Sequence, residues 1–177
     1  MSRFNRDTAG RLTVGGLRLD EIAATHGTPL YVYSGDGIRE DYDNFAAAVA
    51  PVDGTVHFAL KANSAIGVMA LLARQGAGAD IVSGGEMQRA LVAGVPAAKI
   101  VFSGVGKSAG EIGAALDAKI GQINAESTAE VEAISAIAAA RGVTAPVALR
   151  VNVDVDPKTH AKISTGQRST KFGVSTA

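Results

Sequence analysis

The sequence predicts an α/β fold built from βα units around a parallel sheet, and three observations carry that prediction. From residue 55 onward, short β-branched runs alternate with longer Ala- and Leu-rich runs of helical spacing. Three Ser-x-x-Glu tetrads, beginning at Ser83, Ser108 and Ser127, each follow an expected strand within a few residues, where capping boxes would open helices. Gly76, Gly94 and Gly142 stand where those helical runs should stop.

In chain order, a helix is expected over 36–50, then strands over 55–60, 79–82, 100–103, 120–124 and 146–152. Helices over 64–75, 83–93, 108–118 and 127–141 fill the gaps. Strands recur roughly every 20 to 27 residues, a rhythm shared by doubly wound sheets and (β/α)8 barrels. A closed barrel needs about 250 residues, more than the 177 present, so a barrel reading implies only part of one. The first 33 residues fall outside the repeat. Residues 12–19 read as a small hairpin, and 30–33 as a short strand after Pro29.

Composition narrows the function classes. The chain is 47% apolar and 19% charged, enough for a real core, and 17 basic residues balance 17 acidic ones. That balance gives no basic excess for nucleic acid. With no cysteine, a disulfide framework, a thiolate metal site and a cysteine nucleophile are excluded. No run of 18 apolar residues or signal-like apolar segment occurs, so a cytoplasmic location is the expectation.

Six places could carry chemistry. In His57-Phe58-Ala59-Leu60-Lys61, alternation puts His57, Ala59 and Lys61 on one face, which in a barrel points inward at the catalytic rim. An amine in a partly desolvated pocket is a usable nucleophile, whereas a solvated strand end is the plainer alternative. Asp80 lies within the second repeated strand, where a charge needs a partner. Glu86 has a capping position already. Arg150, inside the last strand, calls for a carboxylate or phosphate partner. Residues 154–170, with His160, make a polar connection long enough to suggest a functional loop. Gly104, Gly106 and Ala109 also match the G-x-G-x-x-A dinucleotide fingerprint, with Glu126 about 20 residues on.

Seven segments together are more specific. TPLYVYS (28–34), HFALKANS (57–64), GAGADIVSGGEMQRALVAGVP (76–96), KIVFSGVGKS (99–108), INAES (123–127), LRVNVDVDPKTHAKISTG (149–166) and KFGV (171–174) occur in this order. They resemble the N-terminal part of the diaminopimelate decarboxylase family, pyridoxal-phosphate enzymes of the alanine-racemase-like barrel class. The resemblance implies the N-terminal portion of an alanine-racemase-like (β/α)8 barrel over 34–177, with about five strands. Residues 1–33 would be a β segment of a second domain. It implies that Lys61 carries pyridoxal 5'-phosphate and that Asp80, Glu86 and Arg150 lie near the cofactor. Lys171 would pair with an acid of a partner subunit in a homodimer, and the loop around His160 would be a mobile active-site loop. The implied reaction is decarboxylation of meso-diaminopimelate to L-lysine. Another basic amino acid (ornithine or arginine) and a non-catalytic partial barrel are the alternatives. The histidine-glycine-serine, glycine-rich and cysteine-containing motifs that the family carries later do not occur here. The chain is therefore expected to be a fragment, inactive alone.

Overall fold

The computed structural model describes residues 3–152 and 173–175. The 154–170 loop, His160 and Lys171 lie outside them. The element order is β1 (Phe4–Arg6), β2 (Leu12–Val14), β3 (Leu17–Arg18), α1 (Leu19–His26), α2 (Gly35–Val49), β4 (His57–Ala59), α3 (Ile66–Arg74), β5 (Gly78–Ile81) and α4 (Gly84–Val92). There follow β6 (Ile100–Phe102), α5 (Ala109–Asp117), β7 (Gln122–Ala125), α6 (Thr128–Ala140), β8 (Val147–Leu149), β9 (Val151–Asn152) and β10 (Val174–Ser175).

Strands β4 to β8 form one parallel sheet in sequential order. That order separates the two architectures that the rhythm left open. A doubly wound sheet reverses strand order at a switch point, whereas a barrel adds each strand beside the last. Helices α2 to α6 each pack against the next, so they line one face and leave the other as the barrel interior. The fold is thus an incomplete singly wound βα barrel.

Alternation along the strands builds the core. Leu60, Ala79, Ile81, Ile100, Phe102, Ile123 and Ala125 are buried beneath the helices. Met69 and Leu72, Met87 and Ala90, Ile112 and Leu116, and Ile134 and Ala138 meet them at three- or four-residue spacing. Each of the large side chains contributes about 1.5–3 kcal/mol by leaving water. Leu149 is 58% exposed although its register partner Ala125 is fully buried. The C-terminal end of β8 is therefore left uncovered at Leu149 among the described residues.

Helix boundaries follow local chemistry. Ser83, Ser108 and Ser127 each accept a hydrogen bond from the backbone N–H three residues on. Only Ser108 and Glu111 complete a reciprocal box. Glu86 and Glu130 reach one residue further back, to the amides of Val82 and Glu126. Gly76 and Gly94 follow their helices with φ of 98° and 90°, the left-handed turn that glycine adopts without strain.

Three expectations change. Residues 30–33 form no strand, because nothing among the described residues pairs with them: Tyr31 and Tyr33 stack on each other in the open instead. The expected strand over 146–152 is interrupted at Arg150. Its first part pairs with β7 and its second, β9, pairs in parallel with β10. The first 33 residues also hold a helix, α1, besides the hairpin β2–β3, and β1 extends that hairpin to a three-stranded antiparallel sheet. Arg3 fastens this end to α2 by pairing with Glu40 and Asp41, 3.3 and 2.6 Å away. Its side chain crosses α2 at Gly37, where a Cβ would stand 1.8 Å from Arg3 Cδ.

Candidate active site at the strand ends

β4 ends at Ala59, but the ladder continues one residue, with Leu60 N–H donating to the Asp80 carbonyl at 3.0 Å. Leu60 is fully buried and anchors the chain. The backbone then turns, and Lys61 emerges exposed just past the C-terminal end of the strand. Among the described residues, Lys61 has no hydrogen bond or ion pair. Lys61 thus sits in the turn just past the strand.

Asp80 lies on β5, in register with Ala59. Its Oδ1 accepts from the Ser103 hydroxyl at 2.6 Å. Asn124 Nδ2 donates to that same hydroxyl oxygen at 3.0 Å, and Gln122 Nε2 donates to Asn124 Oδ1 at 2.7 Å. Four half-buried polar groups from three neighbouring strand segments thus meet on the inner face. Ser103, Asn124 and Gln122 were not singled out from the sequence. The available signal was the alternation Gln122-Ile123-Asn124-Ala125, which puts both polar groups opposite the buried pair.

Arg150 finds the carboxylate that its position called for. Its Nη1 donates to Glu126 Oε1 and Oε2 at 3.0 and 3.1 Å. The Glu126 side chain is only 3% exposed. It also accepts from the amides of Gly104 and Gly173, each at 3.2 Å. A second buried pair lies beside it. The Lys107 side chain is completely enclosed, donating to Glu130 Oε1 at 2.9 Å and to the carbonyls of Gly104 and Asn124 at 2.6 and 2.7 Å. Its ammonium also stands 5.6 Å from the centre of the Phe102 ring. These contacts dispose of the dinucleotide reading. The Gly104 turn spends its amide and carbonyl inside the protein, and Glu126 holds Arg150 rather than facing a ribose.

Glu86 serves its helix start and is half-buried. Glu111 does more than cap α5: its Oε1 accepts from the Gly84 amide at 2.7 Å, joining the starts of α4 and α5. That amide, followed by the Ser108 amide and hydroxyl, holds its carboxyl below the usual carboxylate range against an opposing effect of burial. A cavity of about 520 Å³ lies between α2 and the outer edge of β4, lined by Tyr33, Tyr42, Phe45 and Phe58. Lys61 is not among its lining residues, and its apolar walls offer little for catalysis.

The residues at the rim fit a pyridoxal-type group by their donor set. An amine with no partner among the described residues can bind the aldehyde carbon, and the neighbouring acid has an oxygen left to accept a hydrogen bond.

Comparison with known proteins agrees with this chemistry. The family model "Pyridoxal-dependent decarboxylase, pyridoxal binding domain" matches residues 36–177. Diaminopimelate decarboxylase of Zymomonas mobilis is 49% identical over 171 residues, covering 93% of this chain and 40% of that protein. The solved structure of diaminopimelate decarboxylase from M. jannaschii in complex with L-lysine superposes with a TM-score of 0.89 at 39% identity, covering 99% of this chain and 42% of that one. Lysine/ornithine decarboxylase from Vibrio vulnificus, complexed with cadaverine, reaches a TM-score of 0.64 at 26% identity, covering 74% of this chain and 35% of that one. The chain spans about 40% of the length of the curated relatives it matches.

Proposed function

Because the chain belongs to the pyridoxal-dependent decarboxylase family, which it enters through the pyridoxal binding domain, we propose that it is the cofactor-holding part of a diaminopimelate decarboxylase. The whole enzyme would convert meso-diaminopimelate to L-lysine and carbon dioxide, a step of lysine biosynthesis. The observation that carries this is Lys61: an amine without a protein partner among the described residues, at the C-terminal end of the first parallel strand, beside the strand that bears Asp80.

Pyridoxal phosphate, when bound, supplies an electron sink for the pair left behind by a departing carboxylate. The protein's part is attachment and orientation. Lys61 would hold the pyridoxal-type group through its amine. Asp80 offers an acceptor on the neighbouring strand. Arg150, steadied by Glu126, brings a guanidinium to the end of β8, and Glu86 adds an acid at the start of α4.

Residues 1–33 are proposed to belong to the second, β-rich domain of the whole enzyme, and residues 34–177 to its barrel. A homodimer with Lys171 near the interface, and a cytoplasmic location, complete the reading. Among the described residues no helix is long and apolar enough to cross a membrane. The 177 residues by themselves are proposed to lack decarboxylase activity, since the relatives that carry it are more than twice as long.

Borohydride reduction in the presence of pyridoxal phosphate, followed by peptide mass analysis, tests the assignment. A pyridoxyl group on the Lys61 peptide is the expected result, and labelling of another lysine instead would sink it. Carbon dioxide release from meso-diaminopimelate, ornithine and arginine, measured on the whole enzyme, decides the substrate. The 49% identity to a diaminopimelate enzyme, against 26% to a lysine/ornithine one, favours the first.

A further inference from the structure

The four polar groups on the inner face have only one consistent arrangement of protons. A carboxylate can only accept, so the single proton of the Ser103 hydroxyl must point at Asp80 Oδ1. The Ser103 oxygen must then accept from its other neighbour, which fixes the Asn124 amide with its NH2 towards Ser103. The carbonyl end of Asn124 consequently faces Gln122, which fixes the Gln122 amide in turn. One acceptor-only group at the end of the row orients every member. Each donates towards Asp80, and hydrogen bonds aligned head to tail polarise one another in the same sense. Asp80 Oδ2 receives no hydrogen bond among the described residues.

We propose that Ser103, Asn124 and Gln122 are positioning residues that lock the Asp80 carboxylate in one rotamer and leave its second oxygen to a donor group of the pyridoxal-type ligand carried by Lys61. The inference rests on the reading of Lys61 as the cofactor lysine. It extends that reading from the residues that touch the ligand to a row that acts through one of them. The row crosses from β5 to β7, so three consecutive βα units must be correctly assembled before Asp80 is fixed. A hydrogen bond to a charged group is stronger than a neutral one, so the Ser103 link dominates.

The test is equilibrium binding of pyridoxal phosphate to this chain and to S103A, S103T, N124A and Q122A, read by the absorption band of the bound cofactor, with thermal unfolding of each variant alongside. S103A is expected to weaken binding about tenfold and to alter the band. S103T, which keeps the hydroxyl, should restore both. The losses should rank S103A, then N124A, then Q122A, following distance along the row and not the order of the unfolding midpoints. Unchanged binding in S103A, no rescue by S103T, or losses that merely track the unfolding midpoints would each overturn the proposal. Borohydride labelling of the parent chain separates the two levels. A label away from Lys61 removes the cofactor reading and the proposal with it. A label on Lys61 with S103A indistinguishable from the parent removes the positioning role alone.

Discussion

Glu126 and Arg150 are joined at 3.0 Å across the ends of β7 and β8, and the carboxylate is the enclosed member of the pair: 3% of its side chain is exposed, against 39% of the arginine's. The enclosed member decides the energetics, because Glu126 also takes up the amides of Gly104 and Gly173.

E126A should therefore cost more than E126Q. Removing the carboxylate leaves the Gly104 and Gly173 amides without their acceptor and takes from Arg150 its carboxylate partner, about 2–3 kcal/mol of unfolding stability in urea titrations. E126Q keeps a side-chain oxygen for an amide donor and leaves no unpaired buried charge, so it should cost less than half as much. Equal losses would show that the amides contribute nothing.

Lys107 makes a sharper case, since its side chain is fully enclosed. K107M alone leaves Glu130 without its cation and should lose about 3 kcal/mol. The double variant K107M/E130Q keeps an acceptor for the Glu126 amide and removes the unpaired charge, so it should recover much of that loss. An additive double variant would mean that the ion pair is not the source of the cost.

Stability should fall in acid partly through Glu111. Its carboxyl is held below the usual range chiefly by the Gly84 amide. The folded state therefore binds this proton less readily than the unfolded chain does. The contribution is complete above the unfolded value of about 4.3 and is lost as pH falls through the lower folded value. The unfolding free energies of the parent and E111Q should differ above about pH 5 and converge below it. A difference that stays constant across the acid range would rule this out.

Lys61 should behave in the opposite way from Lys107. It is exposed and has no partner among the described residues, so K61A should change unfolding stability by less than about 0.5 kcal/mol. The same variant should lose all specific pyridoxyl labelling. A large loss of stability in K61A would mean that the lysine has a structural role.

The repeated part of the fold was legible because its signals are local. Period-2 and period-3.6 patterning, serine caps and stop glycines all act within one element, and the ordered motifs supplied the family. The missed features depend on partners elsewhere in the chain. Residues 30–33 have strand-like composition but no neighbouring strand to bond among the described residues. The turn from Gly104 to Ala109 matched a dinucleotide fingerprint, while the partner of its Lys107, Glu130, 23 residues on, lies across a whole βα unit. Asp80 was recognisable as a charge that needed a partner, but nothing local pointed to Ser103. Glu126 was noticed for a ribose it does not face, while its real partner, Arg150, stood one strand further along.

The register of the sheet has a consequence for how the protein is made. Ala59 pairs with Asp80, Asp80 with Val101, and Val101 with Gln122, three steps of 21 residues each. Every strand therefore finds its partner in the unit synthesised just before it, and the Lys107–Glu130 and Glu126–Arg150 contacts also reach across only one unit. Such short-range pairing lowers the entropy cost of each closure. The sheet can thus grow as the polypeptide leaves the ribosome, with the strand before Lys61 waiting as a template for each unit that follows.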